Sequence, residues 1–111
     1  MHEYSIATDI AAIVKRTADG RPVKKITLTI GALSGVFSES LLMYLELVLP
    51  EAGMEGVSVE TKEIPATFSC CCGEQYAASS VTTPCPRCGG YVRSVQTGQD
   101  CTVESIEVED D

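Results

Sequence analysis

The chain is 111 residues long and 44% hydrophobic, which is enough for one domain, or for one small domain with an insert that a bound metal ion holds together. Its 16 acidic and 8 basic side chains give a formal net charge of -8, which argues against a nucleic-acid binder because phosphate backbones repel such a surface. No stretch approaches the roughly 20 apolar residues that span a bilayer, and the start lacks the basic-then-apolar order of a secretory signal, so we expect a cytoplasmic protein with no membrane or nucleic-acid partner.

The first half of the chain predicts two helices and a strand. Residues 3–16 repeat isoleucine, valine and alanine at helical spacing, so one face can pack on a sheet. Residues 25–30 alternate apolar and polar side chains as a half-buried strand does. A second, leucine-rich helix is expected to take Ser38 as its N-cap and to stop at Pro50.

The second half predicts short strands around a cysteine-rich segment. Residues 57–62 alternate again, and the composition changes at about Pro65. Residues 70–90 are dense in cysteine, glycine and proline, so something other than a hydrophobic core must hold them. Further strands are expected at 91–95 and 102–108. These elements predict an α+β fold, with a small sheet and two helices in one part and a cysteine ribbon in the other.

The six cysteines are interpreted as metal ligands or free thiols, because a reducing cytosol does not favour a disulfide framework. Cys85 and Cys88 form a C-x-x-C knuckle, in which a tight turn aims two thiolates at one tetrahedral ion about 2.3 Å from each. Upstream, a regular pair ending at Cys72 would need a cysteine at position 69, where Ser69 stands. Cys101 is isolated and is interpreted as a small buried hydrophobe.

The choice of the first two ligands depends on the local backbone. Side chains two apart on an extended chain point to the same side, which favours Cys70 with Cys72 and directs Cys71 away. The alternative uses Cys71 and needs a kinked backbone. Iron can use the same sulfur ligands, but zinc is the default for a small cytosolic ribbon. We therefore predict a structural zinc site at Cys70, Cys72, Cys85 and Cys88.

The amino terminus offers a second candidate metal site. His2 is the only histidine, and a methionine before so bulky a residue is normally retained. The Met1 amine, the His2 amide nitrogen and the His2 imidazole can close chelate rings on one cation, with a fourth donor from the Glu3 amide or another segment. Square-planar nitrogen coordination suits Ni(II) or Cu(II). The alternative, a terminal histidine that is simply free in solvent, is weakened by the helical pattern that starts at Ile6.

Segments along essentially the whole chain match one known pattern. They are Met1-His2-Glu3-Tyr4-Ser5-Ile6, Ile30-Gly31-Ala32-Leu33-Ser34-Gly35-Val36, the helix at 41–49, Ile64-Pro65-Ala66, Cys85-Pro86-Arg87-Cys88-Gly89, Gly98 and Ser105-Ile106-Glu107-Val108. The chain thereby resembles the HypA family, with its HybF relatives, of nickel-incorporation accessory proteins for NiFe hydrogenase and, in some bacteria, urease. The three-cysteine run departs from the family's usual first C-x-x-C.

The resemblance implies a nickel metallochaperone rather than an enzyme. His2 would be the essential ligand of Ni(II), the transient cargo, with Glu3 and the Met1 amine close by, and the cysteine module would hold a structural Zn(II). A nickel-binding domain is expected at 1–65 with 102–111, and a zinc-ribbon domain at 66–101. The implied partners are a HypB-type GTPase and the hydrogenase large subunit, and the expected state is a monomer or a weak homodimer.

Two other interpretations use the same residues. The first is a zinc-ribbon module that binds protein or nucleic acid without delivering nickel, for which Arg87 and Arg93 are the only encouraging charges. The second is a redox protein in which the run at 70–72 acts as a reactive thiol set. An enzyme is disfavoured, because the chain has no arrangement that suggests a catalytic triad and no phosphate-binding glycine loop.

Overall fold

The computed structural model describes residues 3–78, 80 and 82–109. Over these residues it contains two helices and six strands: α1 Glu3–Ala18, β1 Val23–Gly31, α2 Ser38–Glu51, β2 Ser58–Ile64, β3 Thr67–Cys70, β4 Gln75–Ala77, β5 Val92–Thr97 and β6 Cys101–Val108. The strands form two three-stranded sheets, ordered β2-β1-β6 and β4-β3-β5. The predicted α+β class with two helices is confirmed.

The chain divides into two compact units that are not continuous in sequence. Unit 1 comprises the residues up to Thr29, Val36–Lys62 and the residues from Thr102 onwards. Unit 2 comprises Ile30–Gly35 and Glu63–Cys101. The segment Ile30–Gly35, which the sequence did not set apart, belongs to unit 2. The assignment of nickel to residues 1–65 with 102–111 and of zinc to 66–101 stays a prediction.

Both helices belong to unit 1 and contact each other. α1 buries small and branched side chains three and four residues apart, which places them on one face. They are Ala7, Ile10, Ala11, Val14 and Ala18. α2 presents a larger apolar set, formed by Leu41, Leu45, Val48 and Leu49. The alanines of α1 leave room for these leucines, so the pair can pack closely.

The ends of α1 and α2 differ slightly from the predicted ones. α1 continues to Ala18 and ends where Asp19 takes a left-handed φ of 51°, a conformation that aspartate tolerates. Pro50 lies inside the last turn of α2, which ends one residue later. In the described part of the chain, neither helix is long and apolar enough to cross a bilayer.

The prediction of Ser38 as an N-cap is wrong. Ser38 is the first residue of α2, and the N-cap is Phe37, with an extended φ of -90° and ψ of 116°. The Phe37 carbonyl accepts the Leu41 N–H at 3.0 Å, which is the first hydrogen bond of the helix. The side chain of Phe37 makes no capping hydrogen bond at this end of the helix. The N–H of Phe37 is instead bound by the Glu3 carboxylate.

Strand β1 is the centre of the sheet of unit 1, and Ile26 and Leu28 are fully buried there. Two ion pairs join strands of this sheet. Lys25 Nζ of β1 lies 3.2 Å from the Glu60 carboxylate of β2, and Lys62 Nζ of β2 lies 3.0 Å from the Glu104 carboxylate of β6. Exposed pairs of this kind contribute little stability. The buried aliphatic side chains therefore stabilise this sheet more than these ion pairs do.

Unit 2 has a small core built on β3. This strand pairs antiparallel with both β4 and β5, and Phe68 lies opposite Tyr76. Their rings pack at 5.7 Å, and the Tyr76 hydroxyl donates to the Thr83 carbonyl at 2.8 Å. The buried members of this core are Ala66, Phe68, Cys70, Tyr76 and Cys85. Because two of these five side chains are thiols, the aliphatic part of the core is small.

The segment Ile30–Gly35 is bound into unit 2 by backbone hydrogen bonds. The Gly31 N–H donates to the Asp100 carbonyl at 2.8 Å, and the Leu33 N–H donates to the Gly98 carbonyl at 2.7 Å. The Leu33 side chain packs against the core of unit 2. A Cβ on Gly31 would overlap the backbone of Gly98, so this close approach requires glycine.

Candidate metal sites

Four thiols converge in unit 2. The sulfurs of Cys70, Cys72, Cys85 and Cys88 all lie within 4.8 Å of one another. The Cys70 and Cys88 sulfurs are 3.4 Å apart, and those of Cys72 and Cys85 are 3.8 Å apart. Zinc–sulfur bonds of about 2.3 Å in a tetrahedron place the sulfurs about 3.8 Å apart. These are the four residues that the sequence analysis selected, and their spacing fits a tetrahedral ion.

The first pair of thiols is positioned by the turn that follows β3. Cys70 is the last residue of the strand and is buried. Its N–H donates to the Glu74 carbonyl at 2.9 Å, and its carbonyl accepts the Gly73 N–H at 2.9 Å. Gly73 has a φ of +93°, which favours glycine. This turn brings Cys72 back towards the second pair.

The second pair lies on a knuckle closed by its own backbone. The Cys85 N–H donates to the Gly90 carbonyl at 2.8 Å, and the Gly89 N–H donates to the Cys85 carbonyl at 2.9 Å. Two further N–H groups point at sulfur, that of Arg87 at Cys85 and that of Gly90 at Cys88, each at 3.3 Å. Such bonds favour the thiolate, which is the form that binds metal.

The pKa values of the thiols reflect these contacts. Burial disfavours the charged form of Cys85, but hydrogen bonds from the backbone N–H groups of Cys88 and Arg87 outweigh it and lower its pKa to about 7. At Cys88 the Gly90 N–H lowers the pKa, whereas hydrogen bonds with neighbouring thiols, Cys70 first, raise it to about 12. Sulfurs this close cannot all ionise without a cation among them. A four-thiolate donor set of this spacing fits a structural zinc ion.

At the other candidate site, only Glu3 can be described. Met1 and His2, which supply the predicted nitrogen donors, lie outside the described residues. Glu3 opens α1, and its side chain is buried at 9% exposure. Its Oε2 accepts the Phe37 N–H at 3.2 Å. The carboxylate of the residue next to His2 is thus directed into unit 1.

The family model described as hydrogenase/urease nickel incorporation, metallochaperone, hypA matches residues 1–108 of this chain. The chain belongs to the HypA family. Two HypA relatives, each named hydrogenase maturation factor HypA, come from Geobacter metallireducens and Caldanaerobacter subterraneus subsp. tengcongensis. The first is 34% identical over 110 residues, which cover 98% of this chain and 100% of the relative. The second is 36% identical over 114 residues, with coverages of 98% and 100%.

Two solved HypA structures have the same fold. The solution structure of the nickel metallochaperone HypA from Helicobacter pylori matches with a TM-score of 0.71 at 17% sequence identity and covers 97% of each chain. A second solution structure of a HypA protein matches with a TM-score of 0.74 at 16% identity, over 98% of this chain and 97% of that one. At sequence identities this low, the two matches show a shared fold alone.

The two remaining cysteines of this HypA-family chain lie outside the group of four. Cys71 is exposed, and its sulfur is 3.9 Å from that of Cys70, so it lies at the rim of the cluster. Cys101 is half-buried, and burial raises the pKa of its thiol. Sequence reasoning missed the contact between Glu3 and Phe37, because a bond to a backbone N–H leaves no signature in the residue types.

Proposed function

We propose that this chain is a nickel metallochaperone that binds Ni(II) at its amino terminus and helps insert it into hydrogenase, with urease as a second client. The observation that carries this proposal is the family match over residues 1–108, together with a relative matched over its full length and named a hydrogenase maturation factor. Such a protein binds and releases an ion and catalyses no reaction. The expected location is the cytosol.

The proposed nickel ligands are nitrogen atoms at the start of the chain. They are the Met1 amine, the His2 amide and imidazole, and the amide of Glu3 or a donor from elsewhere. A planar set of amine, amide and imidazole nitrogens suits Ni(II) better than it suits the ions that bind at hard oxygen sites. Histidine is mostly neutral at pH 7 and protonates on mild acidification, which would favour release of the ion.

The proposed role of the cysteines is to hold a structural zinc ion. Cys70, Cys72, Cys85 and Cys88 would be its ligands. Zinc would supply folding free energy to unit 2, whose core of five buried residues includes two of the thiols. This role requires no exchange of the ion during nickel delivery. Keeping the sulfur ligands for zinc leaves nickel to the nitrogen donors.

The proposed partners are a GTPase of the HypB type and the large subunit of hydrogenase, and the proposed state is a monomer or a weak homodimer.

The alternative function, a ribbon that binds nucleic acid, has less support. Arg87, one of its two encouraging charges, has its guanidinium 3.5 Å from the Glu74 carboxylate. A phosphate would have to compete with this carboxylate on a chain of net charge -8.

The nickel function is tested by titrating untagged, zinc-loaded protein with Ni(II) in a calorimeter. Loss of an outer-shell partner of a metal ligand costs about 10- to 100-fold in affinity. We expect His2→Ala to weaken nickel binding by more than this, because it removes a ligand itself. Zinc content and helicity should stay unchanged, which serves as the control. Equal nickel affinity in the variant and in the wild type would refute the site.

A further inference from the structure

The turn after β3 carries a fifth thiol beside the group of four. Cys71 lies in the chain between two of the proposed zinc ligands, and its side chain is exposed. Its sulfur is 3.9 Å from that of Cys70. Two sulfurs that share one tetrahedral zinc ion are about 3.8 Å apart. Cys71 therefore stands at the distance of a fellow ligand from Cys70, although it does not belong to the group that surrounds one point.

Gly90 shows which part of the group Cys71 faces. A Cβ added to this glycine would lie 3.2 Å from the Cys88 sulfur, 3.6 Å from the Cys70 sulfur and 3.7 Å from the Cys71 sulfur. These are the three nearest atoms outside the residues next to Gly90 in the chain. Because glycine has no side chain, it places nothing between the three sulfurs. Cys71 therefore lies beside the edge of the proposed site that Cys70 and Cys88 form.

Of the two ligands at this edge, Cys88 is the easier one to release. Its side chain is exposed, whereas Cys70 is only 1% exposed at the end of β3. The backbone of Cys70 is also held on both sides, by hydrogen bonds to Glu74 and Gly73. An exposed thiolate is the one that an electrophile or a competing chelator reaches first. Loss of Cys88 would leave the ion with three thiolates and one open position.

The backbone already has the bend that two adjacent ligands require. Neighbouring side chains on an extended strand point to opposite sides, so Cys70 and Cys71 could not serve one ion from a straight strand. β3 ends at Cys70, and the chain then turns, since the Gly73 N–H donates to the Cys70 carbonyl at 2.9 Å. A rotation of the Cys71 side chain in this turn can bring its sulfur towards the position that Cys88 leaves.

We propose that Cys71 is a reserve zinc ligand, which rests on the proposed zinc role of the other four cysteines. When the Cys88 thiolate dissociates or is blocked, the Cys71 thiol gives its proton to solvent and its sulfur binds zinc in that place. The ion then keeps four thiolates, and unit 2 keeps the metal that supports its small core. In the intact site Cys71 is not bound to the ion, so its removal alone changes the zinc affinity little.

The test replaces each of two exposed ligands, Cys88 and Cys72, with and without Cys71→Ser. Competition with a chromogenic chelator measures the zinc affinity of the full-length variants. In Cys88→Ser we expect the added Cys71→Ser to weaken zinc binding by a further about 10-fold or more, the lower end of what supporting groups of a metal site contribute. Cys72→Ser is the matched control, because the Cys72 sulfur contacts that of Cys85, at 3.8 Å. There the added substitution should change the affinity little.

A second measurement counts the bound thiolates directly. Cobalt(II) replaces zinc in the same variants, and the intensity of its sulfur-to-metal charge-transfer absorption rises with the number of thiolates bound. We expect Cys88→Ser to keep the intensity of the wild type, because Cys71 supplies the fourth thiolate. The double variant Cys71→Ser/Cys88→Ser should lose the share of one thiolate.

Several results would overturn the reserve role. Equal zinc affinity of Cys88→Ser with and without Cys71→Ser would show that Cys71 does not take the open position. The same further loss in Cys72→Ser would show that Cys71 is not specific to the edge that Cys88 forms. A Cys88→Ser variant that folds without retaining metal, or does not fold at all, would also count against it. A wild type that binds no zinc would refute the zinc role itself, whereas the other outcomes concern Cys71 alone.

Discussion

Cys71 and Cys72 are adjacent and both exposed, yet only Cys72 belongs to the group of four converging sulfurs. The sulfur of Cys71 lies 3.9 Å from that of Cys70, at the rim of the group. A tetrahedral zinc site is complete with four thiolates. We therefore propose that Cys71 is a thiol beside the zinc site rather than a ligand of it.

Serine substitutions test this assignment. We expect Cys71→Ser to keep zinc as tightly as the wild type, and Cys70→Ser to lose at least about 10- to 100-fold in affinity, because it removes a buried ligand. Competition with a chromogenic chelator measures both affinities. Since the two substitutions are chemically identical and one residue apart, each is the control for the other. Equal losses would mean that Cys71 is a ligand.

For single residues, the sequence predicts a structural feature only when neighbouring residues in the chain determine that feature. Cys70 and Cys72 were selected by the alternation of an extended chain, but only Cys70 lies in a strand, and it is the turn after β3 that brings Cys72 to the other sulfurs. The bond between Glu3 and Phe37 joins residues 34 apart and uses a backbone N–H. No local pattern encodes such a contact, so it became visible only in the folded chain.

Among the elements, the segment Ile30–Gly35 packs backbone against backbone within unit 2. A Cβ on Gly31 would meet backbone atoms of Gly98 and Asp100, which cannot move aside as a flexible side chain can. Gly35, in the same segment, has open space around it but a φ of +78°. Alanine at these two positions therefore separates a steric cost from a conformational one.

We expect Gly31→Ala to lower the free energy of unfolding of the zinc-loaded protein by about 3 kcal/mol or more, the upper end of the range for overpacking. Gly35→Ala should cost about 1–2 kcal/mol, the penalty for a left-handed residue with a Cβ. Urea denaturation followed by circular dichroism measures both. A Gly31→Ala variant as stable as Gly35→Ala would show that the backbone contact adjusts freely.

Periodicity predicted both helices and most strands, because one buried face repeats along each of them. It missed β4, whose three residues are too few to show a period. It also misplaced the N-cap at Ser38, since Phe37 takes that position with its N–H bound to Glu3. The N-cap thus depends on a contact between residues 34 apart, whereas β4 is too short to show a pattern.

On the scale of the whole molecule, the two units differ in what stabilises them. Unit 1 buries the aliphatic faces of α1, α2 and β1. Unit 2 has five buried core residues, of which Cys70 and Cys85 are two. A core this small is marginal without a metal or another staple. Loss of zinc should therefore affect the units unequally.

We expect removal of zinc with a strong chelator to abolish hydrogen-exchange protection in Glu63–Cys101 while α1 and α2 stay protected. The physical reason is that binding free energy at a structural zinc site is folding free energy. Hydrogen exchange with mass spectrometry resolves the two units, and adding zinc back is the control. Equal loss of protection in the helices would indicate that zinc stabilises the whole chain.

Nickel is proposed to bind nitrogen atoms at the amino terminus, apart from the sulfurs that are proposed to hold zinc. X-ray absorption at the nickel edge, on untagged zinc-loaded protein with one equivalent of Ni(II), tests it most directly. We expect a nickel shell of nitrogen or oxygen that includes imidazole and lacks sulfur, with zinc retained on its four thiolates. A nickel shell built of thiolates, with zinc displaced, would contradict it.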